Sequence, residues 1–342
     1  MNATQLQDFK DLLSVPSKTY KEEGMVKYIT SVLDNIEGVS YYLDHKMNVY
    51  ATKGKLPEGK YYPMFIAHTD TVHELQDKIV VKEEYLRKPN TFGKSYDDTE
   101  YLSLKGYLED GTPTGIGGDD KVGIFIAIEL LKTLNYCKVG LFVSEETGCI
   151  GSSQCDLSFL EDVGYAIQFD CPGDHLITEY CSGVQLYQKN GEFINKILPI
   201  FSKAMGCDID QQSHPYTDVS QIKLKGDFSC INFSCGYYNM HTSKEFVVVQ
   251  DVENAFNSAL NMVNELGFEL YEFLGPNDTY ENDYDDDDLY TFNSTIWDNI
   301  EMEYTNDEFT IEDHRTDNFI SLDYEQTVEL YLFLKEQLND KY

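Results

Sequence analysis

The sequence predicts an α/β fold on a mixed, largely parallel central sheet, and three observations predict it. Short apolar runs of strand length alternate with longer runs whose apolar residues recur at helical spacing. That alternation is the pattern of a sheet covered by helices. Several of the short runs stop abruptly at a histidine or an acid. Between them lies Gly115-Ile-Gly-Gly-Asp-Asp-Lys-Val-Gly123, a glycine-rich turn that opens a helix and organises the rest of the chain.

In chain order, residues 4–14 show helical spacing (Leu6, Phe9, Leu12, Leu13) and end before Pro16, which cannot continue a helix. A second helix fits 20–36, with Met25, Tyr28, Ile29, Val32, Leu33 and Ile36 on one face. Strands are expected at 39–44, 47–52 and 61–67, the last ending on His68-Thr69-Asp70. Residues 79–110 read as a hairpin or meander with Val80, Val81, Leu102 and Leu104 inward. The central stretch then opens a helix carrying Ile124, Phe125, Ile128 and Leu131. A buried strand at 139–143 stops at Ser144-Glu145-Glu146-Thr147-Gly148, and another at 165–169 stops at Asp170. Strands follow near 177–188, a helix at 192–205, and a strand at 229–235 before Asn239-Met240-His241-Thr242. A helix at 250–266 closes the domain.

This divides the 342 residues into a main domain over 1–270, an acidic linker over 271–292 and a small accessory unit over 293–342, read as two short strands and a helix. From 271 on there are 21 acidic and 3 basic residues, a net of −18 out of −34 for the whole chain. Such a charge repels nucleic acid and anionic membrane, so neither is expected as a partner. The acidic end could serve solubility, a basic partner, or cover for the site. No apolar run spans a bilayer and no signal peptide is evident. Eight scattered cysteines without a Cys-x-x-Cys pair read as reduced thiols, hence a cytoplasmic protein.

In open α/β sheets functional groups gather beyond the carboxyl ends of the strands. His68, Glu145, Glu146 and Asp170 each follow an apolar run directly, and His241 follows one after a short loop. Imidazoles and carboxylates together form a ligand set suited to zinc, with manganese or cobalt as rivals. If Asp119 offers one oxygen to each of two ions, His68 and Asp170 complete one site and Glu146 and His241 the other. A water shared by two cations loses its proton easily. Glu145 is placed to take that proton and deliver it to a leaving amine. Asp70 is placed to accept the second ring N–H of His68. Taken singly, Asp70, Asp119 and Asp170 can equally be helix caps or turn formers. Asp218 reads as the N-cap of a helix over 219–224, and His45, His73, His175 and His314 read as surface residues.

Together these motifs resemble the co-catalytic zinc peptidases of the M20 family, in the flavour of peptidase T. The motifs are His68-Thr-Asp70-Thr-Val72, Gly117-Gly-Asp119-Asp-Lys-Val-Gly123, Glu145-Glu-Thr-Gly148, Asp170 and Asn239-Met-His241-Thr-Ser-Lys-Glu245. The resemblance implies a three-layer α/β/α zinc-peptidase fold with two Zn²⁺ ions. It assigns His68, Asp119, Glu146, Asp170 and His241 as metal ligands, Glu145 as general base and Asp70 as support for His68. It also implies a cis peptide between Asp119 and Asp120. Only 70 residues separate Asp170 from His241, too few for the lid domain usual in M20 enzymes. A lidless layout closer to M28 aminopeptidases is therefore expected, with a small C-terminal α+β appendage. Without a dimerising lid, a monomer is expected. His214 is the candidate to replace the lid histidine that steadies the oxyanion, with Tyr216 or Tyr237 behind it.

The expected substrate is a short peptide or small amide. An acidic site favours a free α-amino group, and a chain with two arginines, Arg87 and Arg315, is poorly equipped to clamp a carboxylate. Both features point to an aminopeptidase, unless Lys121 or Lys244 stands in for an arginine. The alternatives are an amidohydrolase or deacylase of N-acyl amino acids, and a non-catalytic binding protein that kept the fold.

Overall fold

The computed structural model describes residues 1–89, 96–181, 183–214, 216–275, 290–293, 300–305, 308–313 and 318–323, with the backbone alone at His214 and from 290 on. The chain divides into two units, Met1–Pro276 and Asn277–Tyr342.

The first unit begins with α1 (Ala3–Ser14) and α2 (Glu23–Leu33). Asn2 caps α1 by accepting from the backbone N–H of Thr4 and Gln5, while the Gln5 side chain accepts from the Asn2 N–H. Then come β1 (Val39–Leu43), β2 (Val49–Lys53), β3 (Tyr62–His68), β4 (Val80–Pro89), β5 (Tyr96–Tyr107) and β6 (Pro113–Thr114). The central stretch opens α3 (Gly118–Thr133), followed by β7 (Cys137–Phe142), α4 (Ile150–Ser153), β8 (Val163–Cys171), β9 (Leu176–Cys181) and β10 (Val184–Gln185). The unit continues through α5 (Glu192–Met205), β11 (Asp210–His214), α6 (Asp218–Lys223), β12 (Ser229–Ser234), β13 (Tyr237–Tyr238), β14 (Phe246–Val248) and α7 (Val249–Leu266).

Nine strands form the main sheet in the order β1-β2-β7-β3-β8-β12-β9-β10, with β11 against β9. The four middle strands, β7, β3, β8 and β12, pair in parallel, and the β1, β2 and β10 edges are antiparallel. Strands β3, β7, β8 and β12 are buried along their whole length, which is why they read as unbroken apolar runs. Helix α3 is buried from Gly118 to Leu131, apolar on every side because it lies inside the layered core. Helix α7 instead buries one stripe, Val252, Ala255, Ala259 and Met262. Between β8 and the loop bearing His241 the chain inserts no separate domain, so the lidless α/β arrangement expected from the sequence is what forms.

The expected hairpin at 79–110 becomes β4 and β5, which join β14 and β13 in a second sheet with β6 at its side. All eight cysteines are free thiols, and all but Cys207 are buried. No helix among the described residues is long and apolar enough to cross a membrane.

Two boundaries differ from the sequence reading. Residues 271–275, expected to begin the linker, close the first unit: Tyr271 and Phe273 are buried, and Ser229 donates to the Tyr271 carbonyl at 2.8 Å. Their alternating aromatic side chains outweigh the acidic composition. In the second unit four strands pair antiparallel in sequence order, β15 (Tyr290–Asn293), β16 (Ile300–Thr305), β17 (Glu308–Asp313) and β18 (Asn318–Asp323). Two strands and a helix were expected over 293–342, and residues 324–342 lie outside the described residues.

Candidate metal centre

The parallel strands end on one side of the sheet, and the acids and imidazoles singled out from the sequence meet there. His68 is the last residue of β3, Glu145 and Glu146 follow β7, and Asp170 lies near the end of β8. Gly117 precedes α3 in the left-handed conformation (φ 68°), and a Cβ there would lie 2.8 Å from Thr71 Cγ2. A Cβ on Gly118 would be equally close to Tyr237 and Val247. The glycines thus let the chain bring Asp119 under the strand ends. The bond from Asp119 to Asp120 is cis.

Asp119 stands between the two imidazoles. His68 Nε2 lies 3.0 Å from its Oδ1, and His241 Nε2 lies 3.1 Å from its Oδ2. On the His68 side Asp170 Oδ1 is 3.6 Å from Nε2, and Glu145 Oε2 is 4.0 Å away. On the His241 side Glu146 Oε2 is 3.2 Å from Nε2. Donor atoms of His68, Asp119 and Glu146 lie within 4.8 Å of one another, as do those of His68, Asp120 and Asp170. Asn239 and His241 both hold positive φ, 54° and 60°, a strained backbone that serves to aim the imidazole.

Backbone hydrogen bonds hold the ligand-bearing loops. His68 Nδ1 donates to the Asp70 carbonyl at 3.0 Å, leaving Nε2 facing the acids. The expectation that the Asp70 carboxylate accepts this N–H is modified: its Oδ1 is 3.4 Å from Nδ1. The two-residue spacing puts the carbonyl beneath the ring, and the carboxylate reaches across to the loop after β7. There it accepts from the Glu145 N–H (2.9 Å) and the Glu146 N–H (3.2 Å), and from Thr19 Oγ1 (2.8 Å). Asp120, not singled out as a ligand, accepts from the His68 N–H (3.2 Å) and the Gly123 N–H (3.0 Å), tying β3 to α3. Glu245, fully buried, accepts from the Gly117 and Asp119 N–H groups and from His73 Nε2 at 2.8 Å. Glu22 holds Ser144 through its N–H and hydroxyl.

Asp170 receives Tyr237 OH at 3.4 Å and Gln168 Nε2 at 3.1 Å. Tyr237 is therefore buried against a ligand candidate. Tyr216 is 38% exposed, its hydroxyl 3.5 Å from the Glu146 carbonyl. The backbone of His214 ends β11, and its side chain lies outside the described residues. His314 also lies outside them.

Three expectations are corrected. Thr217, not Asp218, holds the N-cap position of α6. Asp218 is the first helical residue and fully buried; its Oδ1 accepts from Ser152 Oγ at 2.5 Å and its Oδ2 has no partner. His73 is only 16% exposed at its side chain, drawn in by Glu245. His175 is likewise largely covered, 2.8 Å from Asp174. His45 is exposed as expected.

The electrostatics are lopsided. Burial pushes the Asp170 carboxyl up to about 8, with Asp119 reinforcing it. Burial also raises Glu145 well above the carboxylate range, opposed by His68 and reinforced by Asp170, Asp218 and Asp119. Asp218 is pushed up to about 7 by burial. Asp119 goes down although burial opposes it, because hydrogen bonds to His241 and His68 outweigh that burial, and Asp70 is lowered too, against its burial, by His68 and by the Glu145 N–H and Thr19. His241 is raised to about 10 by its hydrogen bonds to Asp119 and Glu146. Glu146 Oε1 is buried without a partner. Oxygen and imidazole donors with excess negative charge and an orphaned carboxylate oxygen fit divalent cations.

No protein-family model matches the chain, and no curated protein matches it in sequence. Solved structures do match in fold. The aminopeptidase PepT from Bacillus cereus has a TM-score of 0.60 at 13% identity, covering 77% of this chain and 98% of that one. The aminopeptidase APDkam598 from the archaeon Desulfurococcus kamchatkensis has a TM-score of 0.55 at 18% identity, covering 77% and 95%. The TET1 peptidase of Pyrococcus horikoshii has a TM-score of 0.50 at 16% identity, covering 78% and 99%, and can assemble into a tetrahedron or a large octahedral shell. The chain thus has an aminopeptidase fold. The last structure overturns the expectation of a monomer, since a peptidase of this fold forms large shells and a missing lid is no argument against assembly.

Proposed function

We propose that this chain is a metal-dependent aminopeptidase acting on short peptides, in the manner of the M20 family that its motifs resemble. The observation that carries the proposal is Asp119, whose two oxygens face two different imidazoles, each with a further acid beside it. His68, Asp119 and Asp170 would hold one cation, and His241, Asp119 and Glu146 the other. Zinc suits this set, with manganese or cobalt as rivals. Bound there, the pair would supply Lewis acidity and an easily deprotonated water.

The chain's own side chains supply the rest. Glu145 is the general base: it is buried beside the ligand candidates without being needed as one, and its raised pKa suits a group that accepts a proton and then releases it to the leaving amine. Asp70 positions it through the Glu145 and Glu146 N–H groups, so base and ligand move as one. Tyr216, exposed beside the Glu145–Glu146 loop, takes the oxyanion role for which His214 was the sequence candidate. Tyr216→Phe is expected to lower kcat by about tenfold or more with little change in KM. The acid-rich site suits the positive end of a peptide.

The test is hydrolysis of aminoacyl-anilides by the metal-loaded protein. Turnover that disappears when the α-amine is acetylated supports the aminopeptidase. Preference for the acetylated compound would replace it with a deacylase, and no turnover of either, with Glu145→Gln leaving any other function intact, would favour a binding protein.

A further inference from the structure

The three segments that meet at the candidate metal centre meet a second time behind it. In front, Asp119 faces the imidazoles of His68 and His241. Behind, the same segments converge on Glu245, which comes four residues after His241 and is fully buried. Its Oε2 accepts from the Gly117 N–H at 2.8 Å and its Oε1 from the Asp119 N–H at 3.2 Å, so both oxygens hold the turn that carries Asp119. Its own N–H donates to the Thr242 carbonyl at 3.2 Å, which ties it into the His241 loop. The third segment arrives through His73, five residues after His68, whose Nε2 donates to Glu245 Oε2 at 2.8 Å.

Among the described residues no other side chain bonds to Glu245. The buried Lys121 ammonium, on the same turn, donates to the carbonyls of Leu13 and Ile116 instead. A carboxylate taken out of water keeps its place through the donors that fill its lone pairs. Room for this donor is built into the turn: a Cβ on Gly115 would fall 2.0 Å from the His73 ring.

We propose that His73 is a positioning residue for the cation pair, acting through Glu245 on Asp119, an inference that rests on the metal-dependent reading. His73 bonds to none of the five ligand candidates. Its effect passes through one carboxylate into the backbone of the residue that both cations would share. Without its N–H, Glu245 Oε2 keeps the Gly117 N–H alone, and the turn is held less firmly. Asp119 turns one oxygen to each imidazole, so loosening it weakens both cation positions together. A residue that only steadied the strand end at His68 would weaken one.

The experiment measures zinc binding to the chelator-treated full chain by competition with a coloured chelator, with no substrate present. His73→Phe keeps a ring and loses the donor, and both zinc Kd values are expected to rise about tenfold or more. His73→Gln returns an N–H to the place of Nε2 and is expected to keep both near wild type. The His73→Phe/Glu245→Gln pair should bind no more weakly than Glu245→Gln alone, because the two side chains act as one unit. The exposed His45→Phe should match wild type. Each Kd is referred to the folded fraction, read from urea unfolding of the zinc-free protein, so a loss of folding does not imitate the result. Unchanged Kd values in His73→Phe, a rise confined to one zinc, or an equal rise in His73→Gln overturns the role of His73, while two zinc ions bound by wild type leave the metal-dependent reading standing. A wild type that binds no zinc overturns that reading itself.

Discussion

Two clusters of buried acids lie in the first unit, and their charge balance is opposite. Around Lys88, Asp174 and Asp251 share one ammonium at 2.8 and 2.7 Å. Tyr238 donates its hydroxyl to Asp251 at 2.7 Å, and His175 Nδ1 lies 2.8 Å from Asp174. Although burial opposes it, the hydrogen bonds from His175 and Lys88 hold Asp174 at about 2. At the candidate metal centre Asp119, Glu145, Glu146, Asp170 and Asp218 have, among the described residues, His68 and His241 beside them, and there Glu146 Oε1 and Asp218 Oδ2 meet no donor. Both clusters are acidic and largely covered, so burial and charge alone do not separate them. What separates them is whether the protein supplies the balancing charge itself. The Lys88 cluster binds the β4 strand to α7 and needs nothing further, whereas on the proposed reading the other is completed by a cation from outside.

The strongest way to break this comparison is Glu145→Gln. Losing the base is expected to lower kcat/KM by about 10²–10⁴-fold. Thermal unfolding should show no loss of stability, because a buried carboxyl without a cation is exchanged for a neutral group of the same shape. Lys88→Met should do the reverse. It strands Asp174 and Asp251 and is expected to cost about 3–5 kcal/mol in urea unfolding, with anilide hydrolysis per folded molecule retained. If the two variants affected stability alike, the distinction between the clusters would fail.

Zinc titration sharpens the same point. Adding zinc to chelator-treated protein should restore activity and raise stability by about 2.7 kcal/mol at a hundredfold excess over Kd. Asp119→Asn should remove most of that gain, and Lys88→Met should leave it in place.

The sequence carries one side of the comparison better than the other. His68, Glu145, Glu146 and Asp170 are legible because each ends a run too apolar to be anything but a buried strand, and Asp119 because glycines must surround it. The parallel centre of the sheet is legible for the same reason. The groups that position these residues are not. Glu245 meets His73 across 172 positions, Glu22 meets Ser144 across 122, and Ser152 meets Asp218 across 66. A lone acid or histidine has only its neighbours to speak for it, so His73 reads as surface and Asp218 as a cap. Strand β11, Asp-Gln-Gln-Ser-His, has no apolar residue and so no period; its pairing with β9 is made by the main chain alone. The Lys88 cluster is equally hidden, since its members lie on β4, just after β8 and on α7.

The smallest expected effect tests whether the Lys88 cluster is balanced as described. Asp174 has a folded-state pKa of about 2, below its ordinary 3.8, so the unfolded chain takes up the proton first as pH falls. Its contribution to stability is therefore complete above about pH 4 and is lost as pH falls through about 2. With its side chain 23% exposed, screening reduces that contribution to about 1–2 kcal/mol. Urea unfolding of wild type and Asp174→Asn between pH 6 and 2 should show a wild-type advantage that is level down to about pH 4 and then declines. A difference that stays constant across the whole range would mean that the carboxylate gains nothing from its charge, and the contrast with the metal centre would then rest on Asp251 and Lys88 alone.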